Sequence, residues 1–447
     1  MSMVIQPMQV EATPLRGGGE DDELVLSAGP SFGAMGLRVV WLTGACEDGE
    51  QCGLTWMAME MLDRGTRHRS REEMYAALER HGVSVSLRVH RTVTTLDVRM
   101  LESRVGEGLQ LVAEMLTEPA DLPVEWRRLR EETASTVSMS LEEPSGLTQR
   151  LLSPTLWPVA QTTWGLPVDG TRATRKAMTT AQLDEARRRV FGARALVGIW
   201  ADRPERWVDA VQPWFTALRD RWPRHGGLRP SRPSPAWGHL SALPFQGSGQ
   251  ASVVLVGSAP STSAANWSAV CLHAAAFGSG FRSPLVKRIR SEEGLSYEVG
   301  TGLSPDPDES MWTMSTAPEA SKVAHVIDTA RQCWETFHSS PPDERWIDDT
   351  KSHVLGQHLV ALETVRQRLA GALQLRTLGV PVSDLWAHPA RIQALTRDEM
   401  LLAGRHYAWG AGPVTVVAAL TGGLRSAQWK QLHEPLVALP IRLASLH

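Results

Sequence analysis

The chain has 447 residues, of which 42% are hydrophobic and 21% charged, and its formal net charge is −3. That length suits two to four domains of about 100–200 residues each, and the composition is that of a globular protein. So small a net charge gives no broad attraction to nucleic acid or to an anionic membrane, and no apolar run reaches the roughly 18 residues that span a bilayer. Residues 1–22 have no apolar stretch after a basic start, so no signal peptide is expected and a cytoplasmic location is. Cys46, Cys52, Cys271 and Cys333 are scattered, with no Cys-x-x-Cys pair; they read as small buried thiols, not as a disulfide framework or a metal site.

Taken in chain order, 36–42 is rich in apolar and β-branched residues and predicts a strand. Helical periodicity covers 54–62, and a second helix is expected over 70–81, where Ser70 and Glu73 have capping-box spacing. Alternation predicts strands at 83–89 and 92–100, and amphipathic helices follow at 102–116 and 124–141. Thr179 to Leu183 opens another helix, and 195–200 is a further strand. From Trp222 to Gly249 the chain is rich in Pro, Gly, Ser and Arg without apolar periodicity, which predicts an extended linker. Beyond it lie a strand at 252–257, a helix at 264–277, a glycine turn, a short helix ending at Gly294 and a strand carrying Tyr297. A helix start at Thr396 to Met400 and a strand at 414–418 close the series.

The same order of signals occurs before and after the linker, which points to a duplicated α+β unit of roughly 200 residues. The expected architecture is two homologous domains, 1–221 and 250–447, joined by the linker 222–249. Each is a mostly antiparallel sheet with helices on one face.

Two stretches bear on chemistry. Gly53 to Thr66 reads GLTWMAMEMLDRGT; further on, Gly278-Ser279-Gly280 leads to Arg290 and Tyr297, seven residues apart. Together with Trp164 to Gly170 (WGLPVDG) and the linker, these resemble the pitrilysin/insulinase-type zinc peptidases over nearly the whole chain. The closest likeness is to their two-domain bacterial subunits, which work in pairs. In an active member the stretch matching 53–66 contains His-x-x-Glu-His. Its two histidines share a helix face to bind zinc, and its glutamate serves as general base. Here Trp56, Met59 and Glu60 occupy those positions. The third ligand, a glutamate, is expected within Thr133 to Ser138, which holds no acid; Glu131 and Glu132 lie about one turn too early. His353 and His358 are five apart, which places them on different sides of a helix. No metal is expected in this chain.

The resemblance implies that Arg290 and Tyr297 hold the scissile carbonyl and its oxyanion, and that Gly278, Ser279 and Gly280 line the substrate chamber. It implies zinc in a homologous partner subunit carrying His-x-x-Glu-His, and unfolded peptide as substrate. On this reading the chain is inactive alone and completes a heterodimeric metallopeptidase for peptide processing or degradation. Two alternatives stay open: a purely structural subunit of a larger complex, or a peptide-binding module. Ser283-Pro284-Leu285 departs from the family's commoner Ser-Arg-Leu, with Arg282 standing beside the change.

Overall fold

Apolar alternation and β-branched runs build two six-stranded sheets. In this computed structural model, residues 10–15, 22–225, 231–245, 249–421 and 441–442 are described. The first sheet uses β1 (Val10–Pro14), β2 (Glu23–Ala28), β3 (Ala34–Trp41), β4 (Ser84–Val89), β5 (Thr94–Leu101) and β6 (Ala195–Ala201), in the order β1-β2-β6-β3-β5-β4. The second uses β7 (Leu240–Phe245), β8 (Ser252–Ala259), β9 (Val299–Ser304), β10 (Ser310–Thr316), β11 (Thr415–Thr421) and β12 (Ile441–Arg442), in the order β12-β7-β11-β8-β10-β9. The runs β2-β6-β3-β5-β4 and β7-β11-β8-β10-β9 share one topology. In each, the first pair is parallel and the others antiparallel. The α+β class and the duplication are therefore present.

Each compact unit draws on both halves of the chain. One comprises 1–137, 166–231 and 360–386; the other comprises 138–165, 232–359 and 387–447. The sheet of the first unit buries one face under its own helices, among them Leu54–Glu60, Val105–Thr117 and Leu183–Phe191. Part of its other face is covered by the helix Val365–Thr377, in addition to the one-sided cover expected. Val365, Leu369 and Leu373 pack there on Val25, Leu196 and Trp200. All seven residues of β6 are buried as a result, which explains its unbroken apolar sequence. Gly198 permits the close approach, since a Cβ there would lie 2.8 Å from Leu373 and 2.9 Å from Leu369. Glu23 fixes the helix end by accepting from Arg376 at 2.7 and 2.8 Å. The second unit takes the helix Pro144–Leu156 in the same way, with Leu147 against Ala419 and the Thr148 hydroxyl donating to the Ser252 carbonyl at 3.3 Å.

Within the expected linker, 240–245 form β7, parallel to β11, with Leu240 and Ala242 buried in the core. Alternation in this short segment carries a strand that its prolines and glycines conceal. Residues 226–230 and 246–248 of that linker lie outside the described residues, as do most of 1–22. No helix among the described residues is long and apolar enough to cross a membrane.

The helix Trp267–Gly278 runs through the second core and carries His273, which is fully buried. Its Nδ1 lies 2.6 Å from the Tyr407 hydroxyl, its Nε2 lies 3.1 Å from His338 Nε2, and His338 Nδ1 lies 2.8 Å from the Trp334 carbonyl. A carbonyl only accepts, so His338 donates from Nδ1 and accepts at Nε2. His273 then donates from Nε2 and accepts from Tyr407. One set of neutral tautomers satisfies the whole chain. Trp334 and Phe337 enclose His273 at ring separations of 5.2 and 5.1 Å, and burial pushes its pKa down to about 3, helped by the neighbouring His338.

Candidate functional site: an aromatic-clasped arginine and a rebuilt metal helix

The helix Trp267–Gly278 ends where its last residue meets β9. A Cβ on Gly278 would stand 2.4 Å from the Thr301 side chain, so glycine is required there by packing. The expected role in lining a chamber is not needed to explain it. Ser279 caps this end, its N–H donating to Ala275 at 2.9 Å. Gly280 adopts φ +81, the left-handed region that favours glycine. The Ser283 hydroxyl donates back to the Gly280 carbonyl at 2.8 Å, closing the turn. A single turn, Pro284–Val286, then widens into a π-helix, Lys287–Glu292. Its i→i+5 bonding shows in Glu293 N–H donating to Arg288 at 3.0 Å. Such turns are rare and recur at functional sites.

Gly294 ends this helix at φ +58, while Leu295 N–H donates to Ile289 at 2.8 Å. Leu295 and Ser296 turn inward, and the Ser296 hydroxyl donates to the Glu298 carbonyl at 2.6 Å. Tyr297 between them and β9 is thereby turned outward, 78% exposed. It sits in the loop before β9, not on the expected strand, because Ser296 takes up the local hydrogen bonding ahead of the ladder.

Arg290 and Tyr297 do meet: the guanidinium carbon lies 4.0 Å from the Tyr297 ring centroid. A second ring, Phe281, lies 4.7 Å away and is itself 73% exposed. Neighbouring cations are matched with acids. Arg282 pairs with Asp349 at 3.3 Å, Lys287 with Glu292 at 3.1 Å and Arg288 with Glu293 at 2.6 Å. Among the described residues Arg290 contacts these two rings and no carboxylate. Its donors, which cannot be neutralised near pH 7, remain available to an oxygen ligand.

The helix Leu54–Glu60 carries the zinc-motif positions. Asp48 caps its start, accepting from Thr55 N–H at 3.0 Å and from the Thr55 hydroxyl at 2.5 Å, with Arg189 beside it. Met59 is 2% exposed in the core, and Trp56 packs partly buried against it. Glu60 is half-buried; burial raises its pKa, as do the charges of Asp63 and Glu132, while Arg64 opposes them. Glu132 therefore does reach the Glu60 neighbourhood, although in sequence it lies a turn too early. It accepts from Arg64 Nη2 at 2.6 Å, and Arg64 Nε donates to the Glu60 carbonyl at 3.2 Å. Arg64 also lies 3.7 Å from Glu125. A guanidinium bound to the local carboxylates repels a divalent cation, so the donor set does not fit zinc. Among the described residues no three His, Cys, Asp or Glu side chains converge to hold a metal. His353 and His358 both fall on the helix Glu344–Ala361. Beside Glu60 opens a cavity of ≈ 450 Å³, bounded by Asp63, Tyr75 and the edge strand β4. Sequence reading missed the Phe281 ring and the Arg64–Glu132 pair. An aromatic placed directly after Gly-Ser-Gly was the available signal for the first.

Residues 205–353 match the family described as Peptidase M16 inactive domain. An uncharacterized zinc protease of Streptomyces coelicolor is 24% identical over 400 residues, covering 86% of this chain and 83% of the relative. Among solved structures, a peptidase M16 inactive domain from Pseudomonas fluorescens superposes with a TM-score of 0.83 at 17% identity, covering 93% of this chain and 98% of that one. A protease from Helicobacter pylori gives 0.78 at 13% identity, covering 92% and 100%. With Trp56, Met59 and Glu60 in the motif positions, the chain is a pitrilysin-type, peptidase M16 protein that lacks the zinc motif.

Proposed function

We propose that this chain is the zinc-free half of a two-subunit metallopeptidase. A homologous subunit bearing His-x-x-Glu-His supplies zinc and the general base, and this chain supplies Arg290 and Tyr297. The observation that carries the reading is Arg290 stacked at 4.0 Å on Tyr297 with no acid partner among the described residues, while the cations around it are paired. A zinc-activated water attacking a peptide carbonyl generates a tetrahedral oxyanion. A guanidinium edge and a phenol O–H are donors suited to that charge, and one such preorganised donor is worth about 3–4 kcal/mol. The substrate is an unfolded peptide, processed or degraded.

The test is reconstitution. The purified chain, assayed alone on a quenched fluorogenic peptide, gives no cleavage and contains less than stoichiometric zinc. Adding the His-x-x-Glu-His subunit gives chelator-sensitive cleavage that exceeds that of the subunit by itself. Robust cleavage by the chain alone would overturn the proposal. The alternative of a peptide-binding module draws on the cavity beside β4, an open sheet edge that an extended peptide can join. Tight peptide binding with no gain in cleavage on mixing would favour it.

A further inference from the structure

We infer that Phe281 is a positioning residue for Arg290: its ring forms the second wall of a clasp whose first wall is Tyr297. The inference rests on the proposed role of Arg290. The guanidinium carbon lies 4.7 Å from the Phe281 centroid and 4.0 Å from that of Tyr297, both inside the roughly 6 Å range of cation–π attraction. Phe281 is 73% exposed, so burial does not account for a phenyl ring at this place. The backbone that aims it is fixed on both sides. Gly280 is left-handed at φ +81, and the buried Ser283 returns its hydroxyl to Gly280 at 2.8 Å. Arg290 itself lies in the π-helical segment, between the buried Ile289 and the exposed Ser291.

A long arginine side chain on an exposed helix normally samples many rotamers, and ordering it costs entropy at each binding event. Stacking between two ring faces restrains that motion in advance while leaving the N–H edge free. The ligand this suits is an oxygen with partial or full negative charge in the guanidinium plane, such as a peptide carbonyl on its way to an oxyanion. Phe281 touches no reacting atom; it acts through Arg290.

The deciding measurement uses the isolated full-length chain. Phenylglyoxal, an arginine reagent, is applied for timed intervals, and the rate at Arg290 is read by mass spectrometry. Phe281→Leu, which keeps bulk but removes the ring, is expected to react about two- to fivefold faster at Arg290, the scale of one ring face lost from an exposed cation. Phe281→Tyr, which keeps the face, is expected to match the parent rate, as are distant arginines in all three proteins. An unchanged rate in Phe281→Leu, or an equal rise in Phe281→Tyr, would overturn the inference. In the reconstituted pair, Phe281→Leu lowers kcat more than it raises KM, and Phe281→Tyr restores it. If Arg290→Lys leaves the pair's kcat unaltered, the proposed role of Arg290 fails, while the labelling result still decides whether Phe281 clasps it.

Discussion

Lowering the pH should weaken the second unit through one residue, His273. Its folded-state pKa is about 3 against an ordinary 6.5. This depression is opposite to that of a histidine that gains an acid partner. The native state refuses a proton that the unfolded chain accepts, so the neutral imidazole's contribution is fully present above pH 6.5. It is lost progressively as the pH falls toward 3, by about 1.4 kcal/mol per pH unit. Between pH 7 and pH 5 the loss is about 2 kcal/mol. Protonating His273 would also set two N–H donors against each other across the 3.1 Å contact with His338, unless His338 gave up its bond to the Trp334 carbonyl. Glu60 and Asp48, whose pKa values are raised mainly by burial, act in the reverse sense and gain stability on acidification. The assay must therefore compare two proteins. Urea unfolding of the parent and of His273→Gln at pH 7.5, 6, 5.5 and 5, followed by tryptophan fluorescence, isolates the residue. The variant is less stable throughout, but its stability falls less steeply, by about 2 kcal/mol between pH 7 and 5. Parallel pH dependences in the two proteins would refute the reasoning.

Two further outcomes follow from packing and charge. Arg64→Met removes the cation shared by Glu132 and the buried Glu125, and should cost about 3 kcal/mol by urea midpoint; a change below about 1 kcal/mol would show that Arg71 and Arg128 suffice for Glu125. Gly278→Ala drives a methyl into Thr301 and should destabilise by about 1–3 kcal/mol, with Thr301→Ala restoring part of the loss.

Local chemistry made much of the fold legible. Ser70 with Glu73, and Thr396 with Glu399, form the capping boxes that their spacing announces. The alternation at 83–89 and 92–100 becomes β4 and β5 within a residue or two. The exchange of helices between units was not legible. Val365–Thr377 and Pro144–Leu156 have ordinary amphipathic sequences, and nothing local states which sheet they cover. At the site, the pairing of Arg290 with Tyr297 was readable as a motif. The π-helical turn, the outward loop at Tyr297 and the second ring from Phe281 depend on hydrogen bonds among Gly280, Ser283, Ser296 and Glu298, which residue types alone do not fix. Glu132 was misjudged for a similar reason: its reach toward Glu60 runs through the Arg64 side chain, which a count along the helix cannot include.

The central claim concerns a site completed by two chains, and Tyr297→Phe addresses it most directly. That change removes one hydroxyl from an exposed side chain and leaves its ring over Arg290. With the pair reconstituted and saturated with an unfolded fluorogenic peptide, kcat should fall about 10²–10³-fold while association and zinc content of the pair stay constant. A parent-like kcat would contradict the account.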